Sequence, residues 1–331
     1  MTNHLAGPVL VLLDHAPDGT LRAPVLELLT LGRRLGSVHG VWLGADGPGG
    51  DVLSALGAYG VDVVDALELG GADARLTPVV ADALADLAAA LGAAALLLTS
   101  SFDNKEVAGR LGVRSGGGVV VDASDARVVD GRVVADKTVL AGTWTTSCAV
   151  RTPFAVVALK ANSVQPEPAA SATQPAVVAH PVTIAEDARQ AVVVEHQERT
   201  PSDRPALGEA QVVVVGGRGT DGDFSAVEEL ADVLGGAVGA TRVATDEGWI
   251  GHDAQIGQTG VTISPRLYIG AGVSGAVHHR GGMQASGVIV AVNSDPESPI
   301  FEIADLGIVG DLFTVLPQAT QELRRIKAAQ G

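Results

Sequence analysis

The alternation of short apolar runs with longer Ala- and Leu-rich stretches over residues 1–160 constrains the fold more than any other feature. The apolar runs predict strands at 9–13, 38–43, 61–64, 94–99 and 119–122. The stretches between them have helical patterns at 21–35, 51–59, 76–91 and 105–111. Continuous apolar strands that alternate with helices favour a parallel sheet covered on both faces. The first part of the chain is therefore predicted to be a Rossmann-like α/β domain.

Changes in composition mark where this first part ends. Further strands are predicted at 132–140 and 152–160, as an antiparallel addition to the sheet. Residues 162–181 contain four prolines and predict an extended loop, and 192–195 predict a short strand. The polar segment ERTPSDRP (198–205) is the predicted boundary. We therefore expect two domains, at 1–204 and 205–331.

The second domain shows the same alternation of strands and helices. Its strands are predicted at 212–215, 267–269 and 288–292. Its helices are predicted at 224–234, 274–284 and 320–328. This pattern predicts a parallel-sheet α/β domain, in which a ligand would bind outside the carboxyl ends of the strands.

Charge and composition argue against several classes of protein. The formal net charge of −16 makes nucleic acid and anionic membrane surfaces poor partners. No apolar run approaches the ~18 residues that span a bilayer, and no secretion signal is recognised, so we expect a cytoplasmic protein. The single cysteine, Cys148, excludes a disulfide within the chain and is expected to be a small packing residue.

Four glycine-containing turns in the second domain are the candidate ligand contacts. They are GGRG (216–219), GATR (239–242), QIGQTG (255–260) and GAGVSG (270–275). The arginine of the first turn, Arg218, suits a phosphate or a carboxylate, although an ordinary solvated turn is also compatible with it. The chain has no G-x-S-x-G, H-E-x-x-H or P-loop lysine, so no catalytic set is predicted.

The GAGVSG turn has the spacing of a dinucleotide-binding loop and is followed by two histidines. An NAD-binding loop needs an acidic residue after the next strand, and Asn293 stands there instead. Ser274 is expected to cap the following helix. His278 and His279 are neighbours, which point about 100° apart on a helix, so both cannot face one ligand. A nicotinamide-dependent dehydrogenase using this loop, and a nucleotide sensor without redox chemistry, remain as alternatives.

Six ordered motifs in the second domain resemble the α subunit of electron transfer flavoproteins. They are VVVVGGRG (212–219), GAVGATR (236–242), QIGQTG (255–260), LYIGAGVSGAVHHRGGM (267–283), VIVAVNSDPESPIF (288–301) and ADLGIVGDLFTVLP (304–317). They cover nearly all of residues 205–331. The first 200 residues resemble the family more loosely, through SFDNKEVAGRLG (101–112), where Asp103 or Asn104 is the expected helix cap.

The resemblance implies an electron carrier rather than an enzyme with its own substrate. The chain would pair with an electron transfer flavoprotein β subunit, and FAD would lie mainly in the C-terminal domain. AMP would be held by the β subunit. Electrons would come from flavin dehydrogenases, such as the acyl-CoA dehydrogenases of fatty acid β-oxidation, and would pass to a membrane quinone oxidoreductase. The diverged N-terminal domain and the 162–181 loop would set the fit to the β subunit.

The resemblance also implies roles for individual residues. Arg218 would contact the FAD pyrophosphate and ribityl chain. Arg242 would lie beside the isoalloxazine ring, where its charge would raise the potential of the flavin. Thr241 replaces the usual Ser and keeps the hydroxyl. The flavin edge, with Thr259 near N5, would be lined by Ile256, Gly257, Gln258 and Thr259.

The resemblance implies further cofactor contacts in the later motifs of the chain. The GAGVSG segment and its helix would contribute Ser274, Gly275, Ala276, Val277 and His279. His279 fits the histidine that hydrogen-bonds the flavin O2. His278 replaces a common Gln; it is a candidate cofactor contact by its position, but it is expected to be a bystander of His279. The adenosine end would be bound by Asn293, Asp311 and Leu312.

Overall fold

A computed structural model of the chain describes residues 4–16, 18–140, 142–195 and 203–330. The chain divides into two compact units, one within 1–138 and 145–198 and the other within 139–144 and 199–331. Each unit has its own sheet and its own helices, which confirms the predicted α/β class. Residues 198–202 of the predicted boundary segment lie outside the described residues.

The first unit is built on a nine-stranded sheet of order β7-β6-β5-β8-β4-β1-β2-β3-β9. The strands are β1 (Val9–Leu12), β2 (Val38–Leu43), β3 (Val63–Glu68), β4 (Ala95–Thr99), β5 (Gly118–Val129), β6 (Arg132–Val139), β7 (Trp144–Ala149), β8 (Ala155–Leu159) and β9 (Ala176–Pro181). The helices are α1 (Ala23–Leu35), α2 (Gly50–Ala58), α3 (Thr77–Leu91) and α4 (Phe102–Ser115). Within this order, all six pairs of adjacent strands between β5 and the edge strand β9 are parallel.

Strand β1 shows why the apolar runs of this unit are continuous. Val9 and Val11 belong to a hydrophobic cluster that includes α1, whereas Leu10 and Leu12 belong to a second cluster that includes α3. All four side chains are buried. Because both faces of the sheet are covered by helices, each position of a central strand must be apolar.

Three predictions about the later part of this unit are wrong. Strand β8 is not an antiparallel addition, because it lies between β5 and β4 and is parallel to both, whereas β6 is antiparallel to β5 as expected. The predicted 162–181 loop contains β9, which pairs with β3 at the edge of the sheet and ends at Pro181. An edge strand tolerates proline because one side of it needs no partner. Residues 192–195 form no strand, and Val192 and Val194 are exposed.

The cap of helix α4 differs from the sequence expectation. The helix begins at Phe102, and its N-cap is Ser101, whose side chain accepts a hydrogen bond from the Asn104 backbone N–H at 3.2 Å. Asn104 is instead buried, and its amide donates to the Asp14 carboxylate at 2.8 Å. Ser, Asp and Asn are about equally good N-cap residues. The local sequence alone therefore does not show which of these neighbouring residues caps the helix.

The segment that links β8 to β9 is held against α1 by a buried carboxylate. Glu27 is 5% exposed and accepts hydrogen bonds from three successive backbone N–H groups. The donors, at 2.8, 3.0 and 3.1 Å, are Asn162, Ser163 and Val164. Further along, the Thr173 backbone N–H donates to the carbonyl of Gly57. This proline-rich segment is therefore an ordered part of the unit.

The second unit has a five-stranded sheet of order β11-β10-β12-β13-β14, with all neighbours parallel. Its strands are β10 (Val212–Gly216), β11 (Ala237–Ala240), β12 (Leu267–Ala271), β13 (Val288–Asn293) and β14 (Leu306–Val309). Its helices are α5 (Ser225–Leu234), α6 (Arg242–Asp246), α7 (Val277–Met283) and α8 (Leu312–Gln330). From β10 the chain continues to β11 on one side of the sheet, and from β12 it continues to β13 and β14 on the other side. A crevice is therefore expected at the carboxyl ends of β10 and β12.

Several elements of this unit were missed or misplaced by sequence reasoning. Strands β11 and β14 have only four residues each and were not predicted. Helix α8 begins eight residues before the predicted 320, and α7 begins after N-cap Ala276, so Ser274 does not cap it. No helix in the described ranges, α8 included, is long and apolar enough to cross a membrane.

Replacement of Glu27 by Gln should loosen the segment after β8. The amide is neutral and retains only one acceptor oxygen, so all three N–H donors lose their charged acceptor and at least one of them loses its acceptor outright, a loss of about 1–3 kcal/mol. We expect a lower unfolding temperature and faster amide hydrogen exchange at residues 162–164. Glu68→Gln, at an exposed position at the end of β3, is the matched control. Equal effects from the two variants would contradict the assignment.

Candidate functional site

A cavity of about 750 Å³ lies at the carboxyl ends of the strands of the second unit. Every site residue predicted from the sequence lines it except Val277, whose side chain is 73% exposed. The predicted residues that line the cavity are Arg218, Thr241, Arg242, Ile256, Gly257, Gln258, Thr259, Ser274, Gly275, Ala276, His278, His279, Asn293, Asp311 and Leu312. A volume of this size is typical of a site for a small molecule or cofactor.

Close backbone contact between two loops forms the floor of the crevice. The Gly219 N–H, in the loop after β10, donates to the carbonyl of Gly272, in the loop after β12, at 3.0 Å. A Cβ on Gly272 would lie 2.6 Å from the Gly219 Cα, and Gly272 also has a φ of +62°. A Cβ on Gly217 would lie 2.3 Å from the Gly272 carbonyl oxygen. The loops can meet only because these positions lack side chains.

The 272–276 loop is clamped on its other side by the segment that follows β13. Gly275 has a φ of +79°, and a Cβ there would lie 2.6 Å from the Ile300 nitrogen. The Ile300 N–H donates to the Ser274 carbonyl at 3.0 Å. Arg280 donates from Nε to the Gly275 carbonyl at 2.7 Å and from a terminal nitrogen to the Pro299 carbonyl. Sequence reasoning missed Arg280, because its carbonyl partners are recognisable only in the folded chain.

Three successive residues of this clamped loop line the cavity and have unused backbone N–H groups. The backbone N–H groups of Ser274, Gly275 and Ala276 have no acceptor within the part of the chain that the structure describes. Consecutive backbone N–H groups that lack internal partners are suited to binding an anionic oxygen, such as that of a phosphate.

The QIGQTG loop is held by hydrogen bonds to its backbone and side chains. Ile256 N–H donates to the Ala240 carbonyl at the end of β11, at 2.9 Å. The Gln255 side chain donates to the Thr259 hydroxyl at 3.0 Å and accepts from the Thr245 hydroxyl at 2.8 Å. The loop is therefore positioned by its own polar side chains, and Gln255 itself is buried.

Two arginines bring positive charge to the cavity. Arg242 begins α6, its side chain is 67% exposed, and its Nε lies 3.1 Å from a carboxylate oxygen of Asp246. Arg218 follows β10 in a short 3-10 helix, and among the described residues its side chain has no hydrogen bond or ion pair. Three aspartates, Asp246, Asp295 and Asp311, also line the cavity. The cavity therefore offers both cations and carboxylates to a polar ligand.

Thr241, which lines the cavity, has unused hydrogen-bonding capacity. Its Oγ1 is buried and has no hydrogen-bond partner within the described residues. Its backbone N–H is used, since it donates to the Gly216 carbonyl at 3.1 Å. Buried polar atoms in folded proteins are nearly always paired, so an unpaired hydroxyl on a residue of the cavity wall is a candidate ligand contact.

The two histidines differ in their environments. His279 is 6% exposed, with Nδ1 at 3.1 Å from the Ile256 carbonyl and Nε2 at 2.8 Å from the Tyr268 hydroxyl. Burial lowers the pKa of His279 to about 4. His278 is exposed and lines the cavity. The protein itself occupies both ring nitrogens of His279, so a direct bond from this ring to a ligand stays a prediction.

The residues predicted for the far end of the cavity also make internal bonds. The Asn293 amide donates to the Val273 carbonyl at 2.9 Å and to the Ser298 hydroxyl at 3.1 Å. The Asp311 carboxylate accepts from the Phe313 N–H at 3.1 Å in the first turn of α8. Leu312 is buried in the core. These side chains shape the wall of the cavity, and the Asp311 carboxylate can still accept further hydrogen bonds.

Other residues line the cavity and were not in the predicted set. They are Gly219, Val243, Asp246, Gly272, Val273, Val292, Ser294, Asp295, Ser298 and Gly310. Most lie within one or two residues of a predicted site residue, so the motif positions were the signal that could have found them. No cluster of three or more potential metal ligands occurs among the described residues.

Comparison with known proteins places both halves of the chain in one family. Residues 206–284 match the family model of the electron transfer flavoprotein FAD-binding domain. Residues 9–185 match the model of the electron transfer flavoprotein domain. The first unit and the second unit therefore each match a domain model of the electron transfer flavoproteins.

Relatives of similar length support the same assignment. The chain is 43% identical to an electron transfer flavoprotein subunit alpha of Mycobacterium leprae, over 97% of this chain and 99% of the relative. It is 33% identical to that of Bacillus subtilis, over 97% and 98% of the two chains. A mitochondrial subunit of Dictyostelium discoideum is 53% identical over 40% of this chain and 38% of its own. Neither comparison supports the alternative of a nicotinamide-dependent dehydrogenase.

Replacement of Gly272 by Ala should disrupt the floor of the cavity. A left-handed φ costs a side-chain-bearing residue about 1–2 kcal/mol, and here the Cβ also meets the Gly219 backbone. Gly235→Ala is the matched control, because Gly235 has a φ of +66° but open space around the Cβ position. We expect Gly272→Ala to lower both the unfolding temperature and the amount of FAD retained. Gly235→Ala should lower only the unfolding temperature. Equal FAD retention in the two variants would show that the loop contact does not shape the site.

Proposed function

We propose that this chain, which belongs to the electron transfer flavoprotein α-subunit family, binds FAD in the cavity of its second unit and carries electrons between other proteins. The observation that carries the proposal is the cavity at the β10–β12 crevice, lined by nearly all the residues that the family resemblance implies. The orphaned Thr241 hydroxyl and the unused N–H groups of the 272–276 loop fit a polar, phosphate-containing ligand.

The polar groups of the cavity divide into those that hold a diphosphate and those that face a flavin ring. The N–H groups of Ser274, Gly275 and Ala276, together with the Arg218 guanidinium, would hold the pyrophosphate. When bound, FAD supplies the redox chemistry through its isoalloxazine ring. The hydroxyls of Thr241 and Thr259 would donate to or accept from the polar edge of that ring. Asn293 and Asp311 would lie toward the adenosine end.

The Arg242 side chain would tune the reduction potential of the bound flavin. A fixed cation beside the ring favours the state that has gained negative charge. Arg242 lies at the cavity wall, and the neighbouring Asp246 holds its Nε at 3.1 Å, which restrains the guanidinium and partly offsets its charge. The influence of Arg242 should therefore be that of a screened, partly exposed cation.

The proposal includes a partner, because the chain would function as one half of a heterodimer. The second subunit would be an electron transfer flavoprotein β subunit that covers the flavin and holds an AMP of its own. The donors would be flavin dehydrogenases, such as the acyl-CoA dehydrogenases of fatty acid β-oxidation, and the acceptor a membrane quinone oxidoreductase. We expect a cytoplasmic complex without substrate turnover of its own.

Reconstitution of the complex tests this proposal. The chain would be co-expressed with a β-type subunit, refolded with excess FAD, and assayed for bound flavin and AMP. We expect one FAD per complex, reduction of that flavin by an acyl-CoA dehydrogenase with its substrate, and reoxidation by a quinone oxidoreductase. A well-folded complex that retained no flavin would refute FAD binding. A flavin that no dehydrogenase reduced would refute only the proposed donors.

Replacement of Arg242 by Ala should lower the midpoint potential of the bound flavin. Loss of a cation worth ~1.4 kcal/mol corresponds to about 60 mV per electron, and screening by Asp246 and solvent makes a shift on the order of tens of millivolts the expectation. Arg324→Ala is the control, since Arg324 is similarly exposed and paired with Glu229 but does not line the cavity. An unchanged potential in an FAD-loaded Arg242→Ala complex would exclude this role.

A further inference from the structure

Three successive carbonyl groups of the 272–276 loop, those of residues 273–275, are each bound by a different segment of the second unit. The first accepts a hydrogen bond from the Asn293 amide at 2.9 Å. The second accepts from the Ile300 N–H at 3.0 Å, and the third accepts from Nε of Arg280 at 2.7 Å. Each carbonyl in this stretch therefore has a fixed direction.

These carbonyl bonds also fix the direction of the unused N–H groups of the loop. The peptide bonds of the loop are trans, so the C=O and the N–H of one peptide unit point in opposite directions. The N–H groups of Ser274, Gly275 and Ala276 belong to the three peptide units whose carbonyls are bound. They therefore point away from the three donor groups, and the residues that carry them line the cavity.

The peptide unit between Gly275 and Ala276 is the one that Arg280 holds. Gly275 has no side chain and a φ of +79°, and a glycine lets an adjoining peptide unit rotate with little steric resistance. Rotation by half a turn would put the Gly275 carbonyl where the Ala276 N–H now lies, and an acceptor would replace a donor. The hydrogen bond from Arg280 opposes that rotation, because the rotation would break it.

Arg280 is itself held in place by further bonds. Its side chain is 20% exposed, and one terminal nitrogen donates to the Pro299 carbonyl at 2.7 Å and to the Glu302 carboxylate at 2.8 Å. It belongs to α7 and does not line the cavity. A charged donor makes a stronger hydrogen bond than a neutral one, and it polarises the peptide unit so that the N–H on the other side donates better. Arg280 can therefore act on a ligand that it does not touch.

We propose that Arg280 is a positioning residue for the diphosphate of the cofactor. By holding the Gly275 carbonyl, it keeps the Ala276 N–H turned toward the ligand together with the N–H groups of the two preceding residues. The inference rests on the proposed function for the identity of the ligand as FAD. It goes beyond that function by assigning a role to a side chain outside the cavity wall.

Substitutions of Arg280 in the α–β complex test the proposal. Arg280→Met keeps an unbranched side chain but has no hydrogen to donate, so it should raise the FAD dissociation constant by about 10-fold, the size of one hydrogen bond to a charged group. Arg280→Lys retains a charged donor and should recover part of that loss. Glu302→Gln removes the ion pair but not the carbonyl bonds, and it should bind FAD as the wild type does, because Glu302 is 70% exposed.

Phosphorus NMR of the bound FAD separates positioning from a general loss of stability. In Arg280→Met the two phosphorus resonances should move from their wild-type positions, whereas a merely destabilised complex would keep wild-type resonances in the fraction that retains FAD. Arg324→Met, which removes an exposed arginine paired with Glu229, is the control and should leave both resonances unchanged. Wild-type resonances in Arg280→Met would overturn the proposal, and so would an unchanged FAD affinity.

Hydrogen exchange in the cofactor-free complex keeps this inference separate from the proposed function. A wild-type complex that bound no FAD would refute the proposed function, and the hold of Arg280 on the loop would still be measurable at the Ile300 N–H, which donates to the Ser274 carbonyl. Arg280→Met should speed exchange at Ile300, and Glu302→Gln should not. Equal exchange at Ile300 in the wild type and in Arg280→Met would overturn the role of Arg280, with or without FAD.

Discussion

The candidate site depends on the backbone contact between the loop after β10 and the loop after β12. Gly219 and Gly272 meet there at a distance that no side chain permits, and the hydrogen bond between them joins the two loops. Strand order reverses at this point, so the chain leaves β10 and β12 on opposite sides and opens a crevice between them. Arg218, the 272–276 loop and the start of α6 all take their positions from that crevice.

The polar groups around the cavity fall into two sets with different tasks. Asn293, Gln255 and His279 have their hydrogen-bonding groups satisfied within the protein, and they fix the shape of the wall. The Thr241 hydroxyl and the N–H groups of the 272–276 loop lack partners among the described residues, and they are the groups available to a ligand. The shape of the cavity is thus set before binding, so the protein loses less conformational entropy when a cofactor binds.

The α/β class and the position of the site could be predicted from the sequence, because both follow from local patterns. An apolar run such as Val9–Leu12 is buried on both faces only in a covered parallel sheet, and glycine turns after strands mark the carboxyl edge. The parallel placement of β8 and the edge strand β9 could not be predicted, because strand order depends on partners far away in the chain. The same reason hides Arg280 and Tyr268, whose partners are recognisable only when α7 lies beside them.

The central claim is that FAD occupies the crevice between the loops after β10 and β12. Hydrogen–deuterium exchange of the α–β complex, with and without FAD, tests it most directly, because it reports on each loop in the intact protein. The account predicts that FAD slows exchange in residues 217–220, 255–260 and 272–276 and leaves the first unit near 162–164 unchanged. FAD that bound stoichiometrically but protected none of these three loops would contradict the account.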